Sequence, residues 1–404
     1  MNNYLTTNFA GVGGNIKDDP EDFIVEEIPA YLPCGEGEHL YLRVEKRGMS
    51  TFAMIQRISE ALGIRQQDVG YAGLKDSQAV CRQTISLPPE TDGKITTLDL
   101  EGITILDSNY HTNKLRIGHL RGNHFHIRIN DVADDAEQKA LDILHILEHT
   151  GLPNFFGPQR YGVLGTNHLI GKAILHNQFE QAAALIIGNP DQISNQRWKL
   201  AAIAYAAGDL SAALESLPGR FRDERKLLHT LLRGMDYQQA VLALPRKLLR
   251  LYLSAYQSHL FDTQVNMRLD SIDTLWPGDI AYIHAKGACF HVEQPEEEQA
   301  RADRLEISPT GMLAGHKVMQ AKAQTGIIEQ ALLDKESLKA DAFTQFPGLK
   351  LTGERRPLRV PLEQVSCQQQ DNTLQLSFAL PTGSFATALL REIMKAPATT
   401  KSSQ

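Results

Sequence analysis

The densest set of chemically useful side chains lies in GYAGLKDSQAVCRQTIS, residues 70–86. Gly70 and Gly73 bracket an irregular turn, and Lys75-Asp76 follows directly, ahead of a strand-like run. A short aspartate on such a turn is held out from the backbone, as a reacting carboxylate must be, and a nearby ammonium lowers its pKa. Adjacent side chains often diverge, so another base can supply that charge. Asp76 can equally cap a turn, the commonest fate of an aspartate in a Gly-rich segment. A second segment, GLPNFFGPQRYGV, sets Asn154, Phe155, Phe156, Gln159, Arg160 and Tyr161 in a loop broken by Gly and Pro. Large aromatics are costly to expose. Such rings either pack onto the core or stack on single-stranded bases at ~1–3 kcal/mol each, while an Asn amide can read base edges. LPTGSFATALLRE repeats the choice: Ser384 can cap a helix, and Phe385 either staples it or faces a ligand. A fourth motif, His145-Ile146-Leu147-Glu148-His149, matches H-x-x-E-H, where two histidines one helical turn apart bind zinc and Glu acts as base. Its simpler reading is an amphipathic helix with cationic ends over Leu141, Leu144 and Leu147. No Walker lysine loop occurs, and Gly11-Val12-Gly13-Gly14 is not a dinucleotide fingerprint.

These loops need rigid elements beneath them. DFIVEEIPA reads as a strand ending at Pro29, and HLYLRVEKRG as another with Leu40, Leu42 and Val44 on one side and a turn at Gly48. Ser50 is a good N-cap for TFAMIQRISEALGI, whose Met54, Ile55, Ile58 and Leu62 keep the spacing of a buried face, and Gly63 suits its C-terminal end. CRQTISLP is strand-like, and DDAEQKALDILHILEH has the end charges that a helix dipole favours. NHFHIRI alternates strictly, with Phe125, Ile127 and Ile129 on one side and His124, His126 and Arg128 on the other: a half-buried strand with a cationic face. KLRIGHL before it, joined through Arg121-Gly122-Asn123, is expected to complete an antiparallel hairpin. From about 165 to 270 the texture turns Ala- and Leu-rich and helical. DIAYIHAKGACFHV then reads as β, the acid-rich run Glu293–Glu306 as a solvent-facing helix or loop, and the stretch to about 350 as irregular. TLQLSFALP and ATALLREIMK return to strand and helix. The simplest account is a mixed α/β domain built from both chain ends with a helical domain inserted between them; no internal repeat is present.

With 404 residues, 42% hydrophobic and 22% charged, the chain is long enough for two or three folding units and has a globular composition. No secretory signal and no membrane-length apolar run is evident, so neither a secreted nor a membrane protein is expected. Four dispersed cysteines without a Cys-x-x-Cys fit a reducing cytoplasm and exclude a zinc ribbon. The net charge of −7 argues against a protein that coats nucleic acid with its whole surface. A local basic face remains available: between Asp107 and Asp131 there is no acid, but Lys114, Arg116, Arg121, Arg128 and four histidines.

Taken together and in order, PEDFIVEEIP (20–29), GEGEHLYLRVEKRGMST (35–51), GYAGLKDSQAV (70–80), NFFGPQRYG (154–162), SAYQSHLFD (254–262) and LPTGSFATALLRE (380–392) resemble the TruD family of tRNA pseudouridine synthases. The resemblance implies an α+β fold: a discontinuous catalytic domain around a mixed, largely antiparallel sheet, expected over 1–163 and 353–404, interrupted by a mostly helical TRUD domain over 164–352. It implies a cytoplasmic enzyme acting on tRNA, isomerising a uridine (position 13 in the D-arm) to pseudouridine. No cofactor, no metal, no membrane and no obligatory protein partner are expected.

The resemblance also implies roles. Asp76 matches the essential carboxylate, as nucleophile or as base removing a sugar proton. Phe23, Asn154, Phe156 and Phe385 match positions lining the uridine, and Lys75 and Arg160 are expected charge partners. Tyr161 stands where some relatives carry Phe, so its hydroxyl needs a partner. The basic hairpin at 111–128 and the cluster Arg355, Arg356, Arg359 are expected to meet phosphates.

Overall fold

The computed structural model describes residues 3–16, 18–339 and 342–395; the terminal residues 396–404 of the expected catalytic segment lie outside it. The chain forms two compact units, one of residues 1–152 with 360–404 and one of 153–359. The first runs β1 (Phe23–Pro29), β2 (His39–Arg47), α1 (Thr51–Leu62), β3 (Gly70–Tyr71), β4 (Val80–Leu87), α2 (Asp92–Ile95), β5 (Ile103–His111), β6 (Leu120–Ile129) and α3 (Ala136–Thr150). The short strand β7 (Leu152–Pro153) leads into the second unit: α4 (Asn167–Leu175), α5 (Phe179–Ile187), α6 (Gln196–Ala206), α7 (Leu210–Ser216), α8 (Arg222–Leu232), α9 (Tyr237–Leu242), α10 (Arg246–Arg268), β8 (Ile280–Ile283), β9 (Ala288–His291), α11 (Pro295–Asp303), β10 (Ile307–Leu313), α12 (Ala323–Lys335) and β11 (Glu354–Pro357). β12 (Arg359–Val360) leads back to β13 (Glu363–Gln370), β14 (Thr373–Pro381) and α13 (Ala386–Met394).

In the first unit the strands make one sheet in the order β13-β14-β6-β1-β4-β2-β5, with β3 added beside β4. Only β1 and β4 run parallel, so the sheet is mixed and largely antiparallel and the fold is α+β. Period-two alternation gives it one apolar and one polar face. On the apolar face Leu40, Leu42 and Val44 pack with Ile85, Leu87 and the buried stripe of α1. α1 begins where Ser50 Oγ accepts the Ala53 amide hydrogen and ends on Gly63 at φ 71°.

The expected hairpin does not form. β6 pairs with β1 and β14, and Arg121-Gly122-Asn123 lie inside the strand rather than in a turn. Gly122 is required there because a Cβ would sit 2.3 Å from the Leu380 carbonyl oxygen. Close strand approach, not turn geometry, explains that glycine.

The second unit is mainly helical. Its core gathers Ile174, Phe179, Ile187, Leu228, Leu253 and Tyr256 from α4, α5, α8 and α10. The acid-rich run is the helix α11. The stretch expected to be irregular instead contains β10, buried over Ile307–Met312, and the 13-residue helix α12. Pro309 and Gly311 gave β10 the look of a loop; the packing of Phe261 and Leu358 against Gly311 shows why a small residue is needed inside that strand.

Candidate active site

Asp76 lies half-buried on the loop entering β4. Its Oδ1 accepts the Gln78 amide hydrogen at 2.9 Å, so the turn-capping geometry is present and also sets the direction of the carboxylate. The loop is anchored from below through its main chain. Lys46, fully buried on β2, donates from Nζ to the carbonyls of Asp76 and Met49, both at 2.6 Å. The buried Cys81 thiol, whose pKa burial pushes up, lies 3.5 Å from the same Asp76 carbonyl. The Lys75 amide donates to Thr51 Oγ1 at the start of α1, and Thr51 in turn donates to Gln83 Oε1, each at 3.0 Å.

Lys75 is committed to a carboxylate on β1. Its ammonium pairs with Glu27 at 2.6 Å, both side chains at most 5% exposed, and the other Glu27 oxygen accepts the Thr84 amide hydrogen at 2.9 Å.

Alternation along β1 puts Phe23, Val25 and Glu27 on the apolar face, opposite Ile127, Phe125 and Asn123 of β6. Phe23 is 4% exposed and meets Phe125 edge-on at 6.2 Å. Two amide atoms near Glu27, Asn123 Oδ1 and Gln83 Nε2, are buried without a hydrogen-bond partner among the described residues. Such atoms cost about 1–3 kcal/mol each when left unpaired. β14 ends beside them, with Leu380 opposite Asn123 and Pro381 opposite Gly122. A turn at Gly383, φ 82°, then delivers Phe385 half-buried to the N-cap of α13.

The polar face of the sheet is less cationic than its β6 residues alone suggest. Glu26 pairs with both Arg43 and Arg82, Glu45 takes Arg82 at 3.0 Å, and Arg128 lies 3.9 Å from Asp22. His124 and His126 touch at 3.0 Å; burial and that neighbour hold the His124 pKa below the usual imidazole range.

In the second unit the aromatic loop is tied to α10 and β11. Asn154 is 3% exposed; its Nδ2 donates to the Pro357 carbonyl at 2.9 Å and its Oδ1 accepts from Arg356 at 2.6 Å. The Phe156 ring stands edge-on to Phe261 at 5.8 Å, with the Arg356 guanidinium 4.4 Å and that of Arg160 5.5 Å from its centre. Burial pushes Arg356 down to about 10 and lowers Arg160 as well. Arg160 Nε donates to Ser258 Oγ at 3.0 Å. Asp262 ties the loop down: one oxygen accepts the Phe156 amide hydrogen at 2.9 Å, and the other accepts the Tyr161 hydroxyl, supplying the partner that hydroxyl requires.

Two of the three arginines expected at phosphates are structural. Arg355 is buried in a two-pronged pair with Glu329 at 2.7 and 3.0 Å and also bonds Thr310. Arg359 is fully buried and donates to the Ala302 carbonyl at 2.7 Å. Their positive charge was legible in the sequence; their buried acceptors were not. His145, Glu148 and His149 lie exposed on α3, the His149 ring bonding the His145 carbonyl at 2.7 Å, and no group of metal-ligating residues is assembled there or elsewhere among the described residues.

A sequence profile of the TruD family, described as tRNA pseudouridine synthase D, matches residues 1–393. The chain belongs to the TruD family. A curated tRNA pseudouridine synthase D from Syntrophotalea carbinolica is 57% identical over 98% of this chain and 99% of its own. One from Thermus thermophilus is 37% identical over 98% and 92%. A crystal structure described as TruD from Methanosarcina mazei superposes with a TM-score of 0.82 at 28% identity, over 98% of this chain and 97% of the other. TruD enzymes are isomerases, and no helix among the described residues is long and apolar enough to cross a membrane.

Lys46, Glu27, Asn123, Phe125 and Asp262 were not assigned roles from sequence, although each lies in or beside a segment that carried the resemblance or the basic strand. The signal for Asn123 was a polar residue opening the otherwise strict alternation of NHFHIRI.

Proposed function

We propose that the chain isomerises a uridine of tRNA, the one at position 13 in the D-arm, to pseudouridine, with Asp76 as the essential carboxylate. The observation that carries this reading is the Asp76 loop. It is secured through its main-chain carbonyl and amide groups by Lys46, Thr51 and Cys81, on the sheet face where Asn123 and Gln83 hold unused amide atoms.

The reaction breaks C1′–N1, rotates the base and joins C1′ to C5; the C5 proton is lost and N1 gains one, so no atoms or electrons are exchanged with a cofactor. Cleavage builds positive charge at C1′, which an ionised carboxylate beside the ribose stabilises, whether it attacks C1′ or removes a sugar proton. The detached uracil must be retained and water kept out. Phe23 and Phe385 would wall the base from the apolar face. Asn123, whose Oδ1 has no partner among the described residues, would accept a uracil N–H. Asn154, Phe156 and Arg160 would contact the nucleotide from a loop already held stiff within its own unit, Asn154 by Arg356 and Arg160 by Ser258. Lys75 would act by holding Glu27 and the loop. Extruding the nucleotide costs a few kcal/mol, which contact with these rings offsets. The first unit would be the catalytic domain, and the helical unit the inserted TRUD domain. The cytoplasm, where tRNA is modified, would be the place of action, without a metal or an obligatory protein partner.

Asp76→Asn, nearly isosteric, is the test. Pseudouridine at position 13 of tRNA should disappear while tRNA affinity stays within about twofold; full turnover by this variant would remove Asp76 from the chemistry.

A further inference from the structure

A protein of net charge −7 must hold RNA through local cations, and Arg355 and Arg359 are not available for it. Residues 219–250 contain eight Lys and Arg against three acids. On α8 and at its C-terminal cap, Arg222, Lys226, His229 and Arg233 recur at intervals of three and four, which places them on one side of the helix, and all four are exposed. The opposite side carries Leu227 and Leu228 into the core, so the stripe cannot rotate inward. Arg225 braces the helix by donating to the carbonyls of Leu214 and Leu217 at 2.8 and 3.1 Å. The largest acid on the helix, Glu224, is drawn inward, and burial holds its carboxyl above the usual range.

These cations, with Thr230 and the turn at Gly219, line an open groove of about 440 Å³ that has no carboxylate in its wall. A compact anion needs donors that converge on one point. Here the charges are strung along roughly 16 Å of helix, at ~1.5 Å per residue, which suits an extended polyanion. We propose that the α8 groove is a binding site for the phosphodiester backbone of the RNA substrate, in the unit that does not contain Asp76. This rests on the reading of the chain as an enzyme of tRNA. Its contacts are independent of base identity, so it supplies affinity and register rather than chemistry.

The test uses full-length protein and unmodified tRNA. Arg222→Glu/Lys226→Glu/Arg233→Glu should weaken binding at least tenfold. It should also reduce the slope of log affinity against log salt by about 2–3, as expected when three phosphate contacts are lost. KM should rise in parallel while kcat at saturating tRNA stays within about twofold. Arg222→Gln/Arg233→Gln spares the Lys226 bond to the Ala243 carbonyl and should give an intermediate loss with unchanged thermal stability, separating charge from folding. Unchanged affinity and salt slope in both variants would overturn the proposal. So would release of tRNA from the wild type by millimolar inorganic phosphate, which would mark a small-anion site, and so would equal weakening for an acidic polypeptide with none for RNA. The two readings fail separately: wild type that binds tRNA through the groove but forms no pseudouridine sinks the function alone. Active wild type with an indifferent triple variant sinks the groove alone.

Discussion

Two loops broken by glycine carry most of the chemistry-bearing side chains, and their anchoring differs. The Asp76 loop is held largely by its main chain: Lys46 and Cys81 reach its carbonyl, and Thr51 takes the Lys75 amide. The loop from Asn154 to Tyr161 is held by its side chains as well as its main chain, with Asn154 on Arg356, Arg160 on Ser258, and Tyr161 on Asp262. A loop anchored through its backbone can present a side chain to a substrate, whereas one anchored through its side chains becomes a rigid wall. Residue types alone gave the two loops the same standing, because aromatic and polar residues between glycines look alike whichever way they are tethered.

The largest expected effect comes from cutting the main-chain anchor. Lys46→Met keeps the stem but removes the ammonium from the part-buried carbonyls of Met49 and Asp76, at about 1–3 kcal/mol each, the second keeping the weaker Cys81 contact. Melting temperature should drop, and turnover at a temperature where the variant is folded should fall more than tenfold. A variant as active as wild type would show that the loop holds its shape without the ammonium. Glu27→Gln follows: it strands the Lys75 ammonium, and removal of one partner of a buried pair costs about 3–5 kcal/mol. Denaturant midpoints should fall for Glu27→Gln but recover partly in Glu27→Gln/Lys75→Met, where no charge is left unpaired.

On the other side of the comparison, Asp262→Asn weakens the clamp on Phe156 and Tyr161. The expected loss is a few-fold in turnover with a stability cost of about 1–2 kcal/mol. Adding Tyr161→Phe should cost little more, since the two groups share one bond. Strict additivity would show that the hydroxyl and the carboxylate act apart. The smallest effect is on pH. His168 is held down to about 4 by burial and by His259, and His284 to about 4 by burial and Arg359. Both are neutral in the fold and take up protons more readily when unfolded. Their contribution is therefore whole above about pH 6.5 and is lost as pH falls toward 4. Stability against urea should decline through that window, and His284→Asn should flatten part of the decline.

Much of the scaffold was legible because its signals are local. The stripe and caps of α1, the alternation of β6 and β14, and the Ala- and Leu-rich helices follow from backbone geometry read over a few residues. Partner choice was not: Gly122 looked like a turn because a close strand neighbour and a tight turn both demand the absence of a Cβ. β10 was hidden because burial on both faces removes the alternation that identifies a strand, and its proline and glycine imitate a loop.

By itself, the order of six short segments determined the family, and with it the expectation of a carboxylate at Asp76, since covalent sequence preserves which groups a family keeps and how far apart they lie. Only tertiary structure decided which charges are spent and which remain. Arg355 and Arg359 are consumed by Glu329 and a buried carbonyl, Lys75 by Glu27, while the α8 stripe faces solvent. A charge is worth what its neighbours and its dielectric leave of it, and those neighbours come from distant parts of the chain.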